Sequence, residues 1–254
     1  MKISVCYVCP VIKWNDYEPI TRRFLASYRE FPAGHAHEFH LIFNGGNPTS
    51  DALNLFSNMN PVYHHHDNCG WDIGAFSKVA NVDCDAMLFL GANTHFKRAG
   101  WLRRMVESRE KFGPGLFGTS ASFEIYPHIR TNGFMCHPGL VGTAWAKNSS
   151  DKKPRHHFEL GKTSLAAIAA GQDLPVVLVT WDGFYMQDEW RTAPNIFRRG
   201  DQGNCLIFDR HHEIYESSSP KEKIQLGKIA DGSKFEYYRC AIQTRLERWI
   251  KSKK

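Results

Sequence analysis

Through roughly the first 110 residues, short apolar runs alternate with amphipathic stretches, and each apolar run ends in a polar or glycine-rich loop. "ISVCYVCPVI" (3–12) is β-branched and small-apolar with no helical period, the pattern of a buried strand. In "DYEPITRRFLASYREF" (16–31), Ile20, Phe24, Leu25 and Tyr28 recur at helical spacing with charge on the opposite face. The alternation continues through strand-like "EFHLIFNGG", helical "SDALNLFSNM", strand-like "PVYHHH", helical "WDIGAFSKVA", strand-like "DAMLFLGAN" and helical "AGWLRRMVESREKF". Such a series predicts an α/β fold: a Rossmann-type parallel sheet flanked by helices, with ligands at the carboxyl ends of the strands.

After Gly115 the texture changes. "GLFGTSASF" and "RTNGFMCHPGLVGTAW" read as strands of a mixed sheet, "DKKPRHH" as a polar loop, and "FELGKTSLAAIAAG" as a helix closed by Gly171. "LPVVLVTWDG" is a further buried strand. "NIFRRGDQGNCLIFDRHHEIY" is loop-rich, and "RCAIQTRLERWIKSKK" predicts a basic amphipathic helix. With no repeat or linker in view, one domain of 254 residues is expected.

Composition narrows the class. At 42% hydrophobic and 23% charged residues the chain can bury a full core without a disulfide or metal. The seven cysteines form no paired framework, and the one CxxC (Cys6, Cys9) lies inside an apolar strand, so reduced thiols in a cytoplasmic setting are expected. The start is too short and too polar beyond Lys13 for a signal sequence, and no window has about 18 uninterrupted apolar residues. A net charge of +6 suits anionic substrates or an acidic membrane surface. Its dispersal along the chain, despite seven tryptophans, argues against a nucleic-acid-binding module.

The densest chemistry is "HHHDNCGWDIGAF" (64–76). On a strand, His64 and His66 share one face and His65 the other, so the three cannot converge on one ion. Asn68, Cys69 and Gly70 form a turn through which backbone N–H groups can approach a ligand, and Asp72 can cap the next helix or hold a ribose hydroxyl.

The order of several segments resembles the GT-A glycosyltransferases, of the family 2 and rhamnan-synthesis types, over about residues 3–185. The segments are "CPVIKWND", "IFNGG", "DNCGWDIGAF", "DAMLFLGAN" and "HHFELGKTSLAAIAAGQDLPVVLV". The resemblance implies a nucleotide-sugar-binding half (about 1–112), an acceptor half (about 113–238) and the basic C-terminal helix (239–254). It also implies sugar transfer, with inversion, from a nucleotide-diphosphate donor to a surface-glycan or lipid-linked acceptor. Pro10, Val11, Asn44, Gly45, Asn68, Gly70, Asp72, Asn93 and Thr94 would then lie near the donor. Glu159 is the first candidate for the general base and Asp182 the second. Arg130, two residues from His128, can grip a diphosphate, and Arg199, Asp201 and Gln202 can form a closing loop. His211 and His212 are further candidates beside the phosphates.

One departure stands out. Where the family carries Asp-x-Asp, this chain has Gly91, Ala92 and Asn93, and only Asn93 offers an oxygen ligand for Mn²⁺ or Mg²⁺. Either the metal is bound with help from elsewhere or protein cations neutralise the diphosphate. A non-catalytic GT-A-like domain that binds a glycan or nucleotide is the alternative this departure raises. The C-terminal helix, with Arg239, Arg245, Arg248, Lys251, Lys253 and Lys254, offers a peripheral contact with acidic lipid.

Overall fold

The computed structural model describes residues 1–235 and 238, apart from Lys152. The basic helix expected over 239–254 therefore lies outside the described residues. The described residues form ten strands: β1 (Ile3–Pro10), β2 (Glu38–Asn44), β3 (Val62–His66), β4 (Ala86–Leu90), β5 (Leu116–Gly118), β6 (Ala121–Ser122), β7 (His128–Ile129), β8 (Gly133–Cys136), β9 (Val176–Val179) and β10 (Phe184–Met186). Eight of them make one sheet in the order β10-β9-β5-β8-β4-β1-β2-β3, and β6 pairs with β7 apart from it. β3, β2, β1 and β4 run parallel, β8 runs antiparallel between β4 and β5, and β10 is antiparallel at the far edge.

Alternation along β1 divides the interior into two cores. Ile3, Val5, Tyr7 and Cys9 face α1 (Trp14–Glu30), α2 (Ser50–Phe56) and α4 (Trp101–Phe112). Cys6 and Val8 face α3 (Trp71–Phe76), α5 (Pro138–Asn148), α6 (Pro154–Leu160) and α7 (Leu165–Ala170). A strand covered on both faces cannot show a polar alternation, which explains its unbroken apolar run. Phe24 of α1 stacks on Tyr7 with ring centroids 3.7 Å apart, fixing the first helix on the sheet.

The second half departs from the sequence reading in three places. "PGLVGTAWAKN" is not strand but helix α5: Pro138 sits in its first turn and His137 Nδ1 accepts the Gly139 N–H. The helix expected over 158–171 is two helices, and the "polar loop" before it starts the first. Pro154 sets the first turn of α6, Gly161 ends it, and Ser164 caps α7 by accepting the Ala167 N–H. The stretch read as loop-rich includes the start of α8 (Arg210–Ser217), and α9 (Pro220–Ala230) follows. Asp209 and Ser219 open these helices with capping boxes.

The three consecutive histidines diverge, as strand geometry requires. His65 packs beside Phe43, His66 reaches Asn44, and His64 Nε2 lies 3.0 Å from His40 Nδ1. His40 Nε2 donates to Glu38 Oε2 at 3.0 Å, and with a neutral His40 its Nδ1 accepts from His64 Nε2–H. Burial holds both below the ordinary imidazole value, against the Glu38 charge at His40 and helped by the neighbouring histidines at His64. The unfolded chain therefore binds more protons, and stability is expected to be level above about pH 6.5 and to fall below it. Urea midpoints measured from about pH 7.5 to 5 should show this slope, to which His95, His128 and His211 also contribute, and His64→Gln should make it shallower; an unchanged slope would exclude His64 as a contributor.

Candidate active site

The topology opens a crevice. The chain runs outward from β1 through β2 to β3, then returns to lay β4 on the other side of β1, so the loops leaving β1 and β4 part company. Because β8 is antiparallel to β4, with Leu90 opposite Gly133, the residues entering β8 also arrive at this edge. Tyr7 Oη donates to the Ala92 carbonyl (3.0 Å), and the Ala92 N–H donates to Asp72 Oδ2 (3.0 Å). A Cβ on Gly91 would stand 3.1 Å from that same carboxylate oxygen. A carboxylate from α3 thus stands at the end of β4, and a glycine at 91 leaves it room. Thr94 Oγ1 donates to the Asn132 carbonyl at 3.0 Å, stitching the β4 exit to the β8 entrance.

The result is a cleft of about 480 Å³ lined by Tyr17, Trp71, Asp72, Asn93, Thr94, Arg130, Thr131, Asn132, Arg155, His156, Glu159, Asp209, Arg210 and His211, among others. A larger hollow of about 830 Å³ lies near Lys2, Asp83, Arg109 and His137, at the amino ends of the parallel strands. Ligands of open α/β sheets bind at the opposite, carboxyl edge, so the smaller cleft is the candidate.

Charges in the cleft are paired across elements. Glu159, near the end of α6, accepts the Thr131 N–H at 3.1 Å. Burial would raise its carboxyl, but the Arg130 guanidinium, His128 and that N–H outweigh it and hold Glu159 below its ordinary value. Asp72 goes the other way: burial raises it, and the Ala92 N–H and Arg155 offset only part of the rise. Asp209 accepts the His211 and His212 N–H groups and pairs with His212 Nδ1 at 2.8 Å. Burial opposes its charge, yet His212 and Arg130 keep it well below the carboxylate range. The buried His128 ring is pushed down to about 4 by desolvation, against the pull of Glu159.

Several polar groups at the cleft have no partner among the described residues. They are Arg130 Nε, Nδ2 and Oδ1 of Asn132, and, just behind, His128 Nε2. Arg130 is only 8% exposed, its guanidinium 4.4 Å from the Phe197 ring centre. Buried donors and acceptors left open in this way are costly unless a ligand or water meets them.

Of the residues singled out from the sequence, the fold brings Asp72, Asn93, Arg130 and Glu159 together, with Thr94 and His211 beside them. Pro10, Val11, Asn44, Gly45, Asn68 and Gly70 form the neighbouring strand-exit rim, bonded mainly to one another. Val11 N–H donates to the Asn44 carbonyl (2.9 Å), Asn44 Nδ2 to Asn68 Oδ1 (2.9 Å), and Gly45 N–H to the His66 carbonyl (2.8 Å). Asp182 lies outside, in the β9–β10 turn, accepting from Thr180 and Asn204. The 198–204 loop is also outside. Arg199 pairs with Asp231, Asp201 accepts the Gly203 N–H, and the fully buried Gln202 joins the Arg198 N–H to the His212 carbonyl.

Sequence reasoning missed Tyr17, Asn132, Arg155, Asp209 and Arg210. A Pro at the start of a helix flags Arg155, and an N-cap Asp flags Asp209 and Arg210; nothing local flags Asn132 or Tyr17.

The donors present do not form an all-protein cage for Mn²⁺ or Mg²⁺ among the described residues. Among the described residues no group of three or more His, Cys, Asp or Glu side chains converges as metal ligands. Each cleft carboxylate already faces an N–H group and a cation, and Asn93 offers a neutral amide.

No protein-family model matches the chain, and no curated protein matches it. Solved structures similar to it include S. aureus TarS (12% identity, TM-score 0.40), mouse xyloside xylosyltransferase 1 (8%, 0.41) and the Thermus thermophilus 2-C-methyl-D-erythritol 4-phosphate cytidylyltransferase (12%, 0.45). The matches cover 57%, 66% and 91% of this chain, and 30%, 81% and 99% of those chains. At these identities and scores the likeness concerns the backbone path alone. The fold itself is a Rossmann-like α/β arrangement: a mostly parallel eight-stranded sheet between two layers of helices.

The Glu159 carboxyl sits low because Arg130, His128 and the Thr131 N–H together outweigh its burial, Arg130 contributing most. Arg130→Met is therefore expected to raise its titration midpoint, read from ¹³C carboxyl shifts of labelled glutamate; an unmoved midpoint would remove Arg130 as the main cause.

Proposed function

We propose that the chain is a transferase that takes a sugar from a nucleotide-diphosphate donor and passes it to a hydroxyl of a glycan or lipid-linked acceptor. One observation carries this reading: Arg130, Arg155 and Arg210 share one cleft with Asp72 and Glu159 at the carboxyl edge of the sheet. Guanidinium groups bind phosphate oxygens bidentately, and three of them can neutralise a diphosphate without a divalent ion. They also stabilise the charge that develops on the leaving diphosphate.

Transfer requires a group that takes the acceptor's proton as its oxygen attacks the anomeric carbon and the bond to the diphosphate breaks. Glu159, held in its ionised form by Arg130, is suited to accept that proton. The neutral amide at Asn93 and the open amide of Asn132 are suited to sugar hydroxyls.

Nucleoside diphosphates carrying uracil, guanine, cytosine or thymine, with and without sugars, are the ligands to test by thermal unfolding. At about 100 times its Kd, a bound donor should raise the melting temperature by about 5 to 10 °C, in EDTA as well as in Mn²⁺. A shift that needs Mn²⁺ would sink the arginine account; no shift with any nucleotide would sink the donor. Glu159→Gln is expected to slow transfer about 10² to 10⁴-fold with donor affinity retained. Binding without turnover in the native chain would favour a non-catalytic binding domain.

A further inference from the structure

The turn entering α3 is built at a conformational cost. Asn68, Gly70 and Trp71 all lie in the left-handed region, at φ 73°, 75° and 59°. Glycine adopts this freely and asparagine with little penalty, whereas a tryptophan there is an outlier. The turn is also braced. Asn68 bonds to Asn44, the Trp71 N–H donates to the Asn68 carbonyl at 3.1 Å, and Trp145 packs so close beneath Gly70 that a Cβ would lie 2.2 Å from its ring. What this arrangement achieves is the display of Trp71. Its side chain stands at the cleft wall, 58% exposed, in a protein whose Trp101 and Trp190 are sealed in the core.

The Arg155 guanidinium lies over the Trp71 ring, 3.8 Å from its centre. This pair forms one wall of the cleft, which also holds Arg210, without a side-chain partner among the described residues, and the buried, open Nε of Arg130. A planar cation on an indole leaves a flat, polarisable surface with positive charge beside it. Such a surface suits a flat heteroaromatic ring that carries an anionic tail.

We propose that Trp71, steadied by Arg155, is the stacking platform for the nucleobase of the nucleoside diphosphate, with the diphosphate directed toward the remaining arginines. This rests on the reading of the cleft as a nucleotide-sugar site and deepens it by naming what holds the base. Arg155 then has two contacts to make, the aromatic wall and the phosphate. Trp71 has one, and it is independent of ligand charge.

That difference makes the assignment testable with two probes, a nucleoside diphosphate and inorganic pyrophosphate, by calorimetric titration of the full chain. Trp71→Ala should weaken nucleoside diphosphate binding about 5 to 150-fold, the range for loss of one base–aromatic stack. It should leave pyrophosphate within about twofold, and Trp71→Phe should recover most of the loss. Arg155→Met should weaken both probes. Far-ultraviolet circular dichroism and melting of each variant separate a binding effect from misfolding. Equal loss of both probes in a folded Trp71→Ala, or full nucleotide affinity in it, would overturn the platform while leaving the donor reading intact. A native chain that binds pyrophosphate but no nucleoside diphosphate would overturn the platform and the donor reading together.

Discussion

Ala92 has no functional side chain, yet the cleft depends on it. Its carbonyl takes the Tyr7 hydroxyl from the central strand, and its N–H goes to Asp72 from the helix after β3. These two bonds join β1, β4 and α3, three elements far apart in sequence, where the sheet changes direction. A buried peptide group cannot be left open without cost, so the exit loop of β4 has little freedom to lie elsewhere. Tyr7 is itself clamped against Phe24, so the first helix, the central strand and the cleft floor form one continuous packing unit.

Around this anchor the electrostatics are balanced rather than one-sided. Arg130 serves both Glu159 and Asp209, Arg155 faces Asp72, and Arg210 stands free among the described residues. Pairing keeps the guanidinium groups ordered near the site without neutralising it, because the partners are shared and one cation has none. The same pairing keeps Glu159 ionised while burial lifts Asp72, so two carboxylates in one cleft differ in proton affinity. Environments that push two acids apart give a site distinct groups for distinct tasks.

The parts of the fold legible in the sequence were those with strong local signals. Apolar runs with turn residues at their ends marked β1 to β4, and periodic stretches marked α1 and α4. Asp72, Asn93, Arg130 and Glu159 stood out because each is a reactive type beside a strand end or helix. The second half was harder. Helix α5 carries two glycines and no polar face, so periodicity did not reveal it, and α8 and α9, opened by capping boxes, went unread in a stretch taken as loop-rich. Arg199, Asp201 and Gln202 looked like a ligand loop because glycine-rich polar segments do so whether they face a ligand or the fold's own backbone.

The sequence alone determined the alternating α/β plan, the buried central strand and the absence of an acidic pair at the end of β4. These follow from residue type and spacing along one segment, which local physics reads directly. Only the tertiary structure decided that Asp72 fills the space beside Gly91, that Arg155 leaves an apparent loop to cover Trp71, and that Asp182 turns away from the cleft. Those outcomes depend on which segments the sheet brings side by side, and strand order is set by the packing of both cores at once.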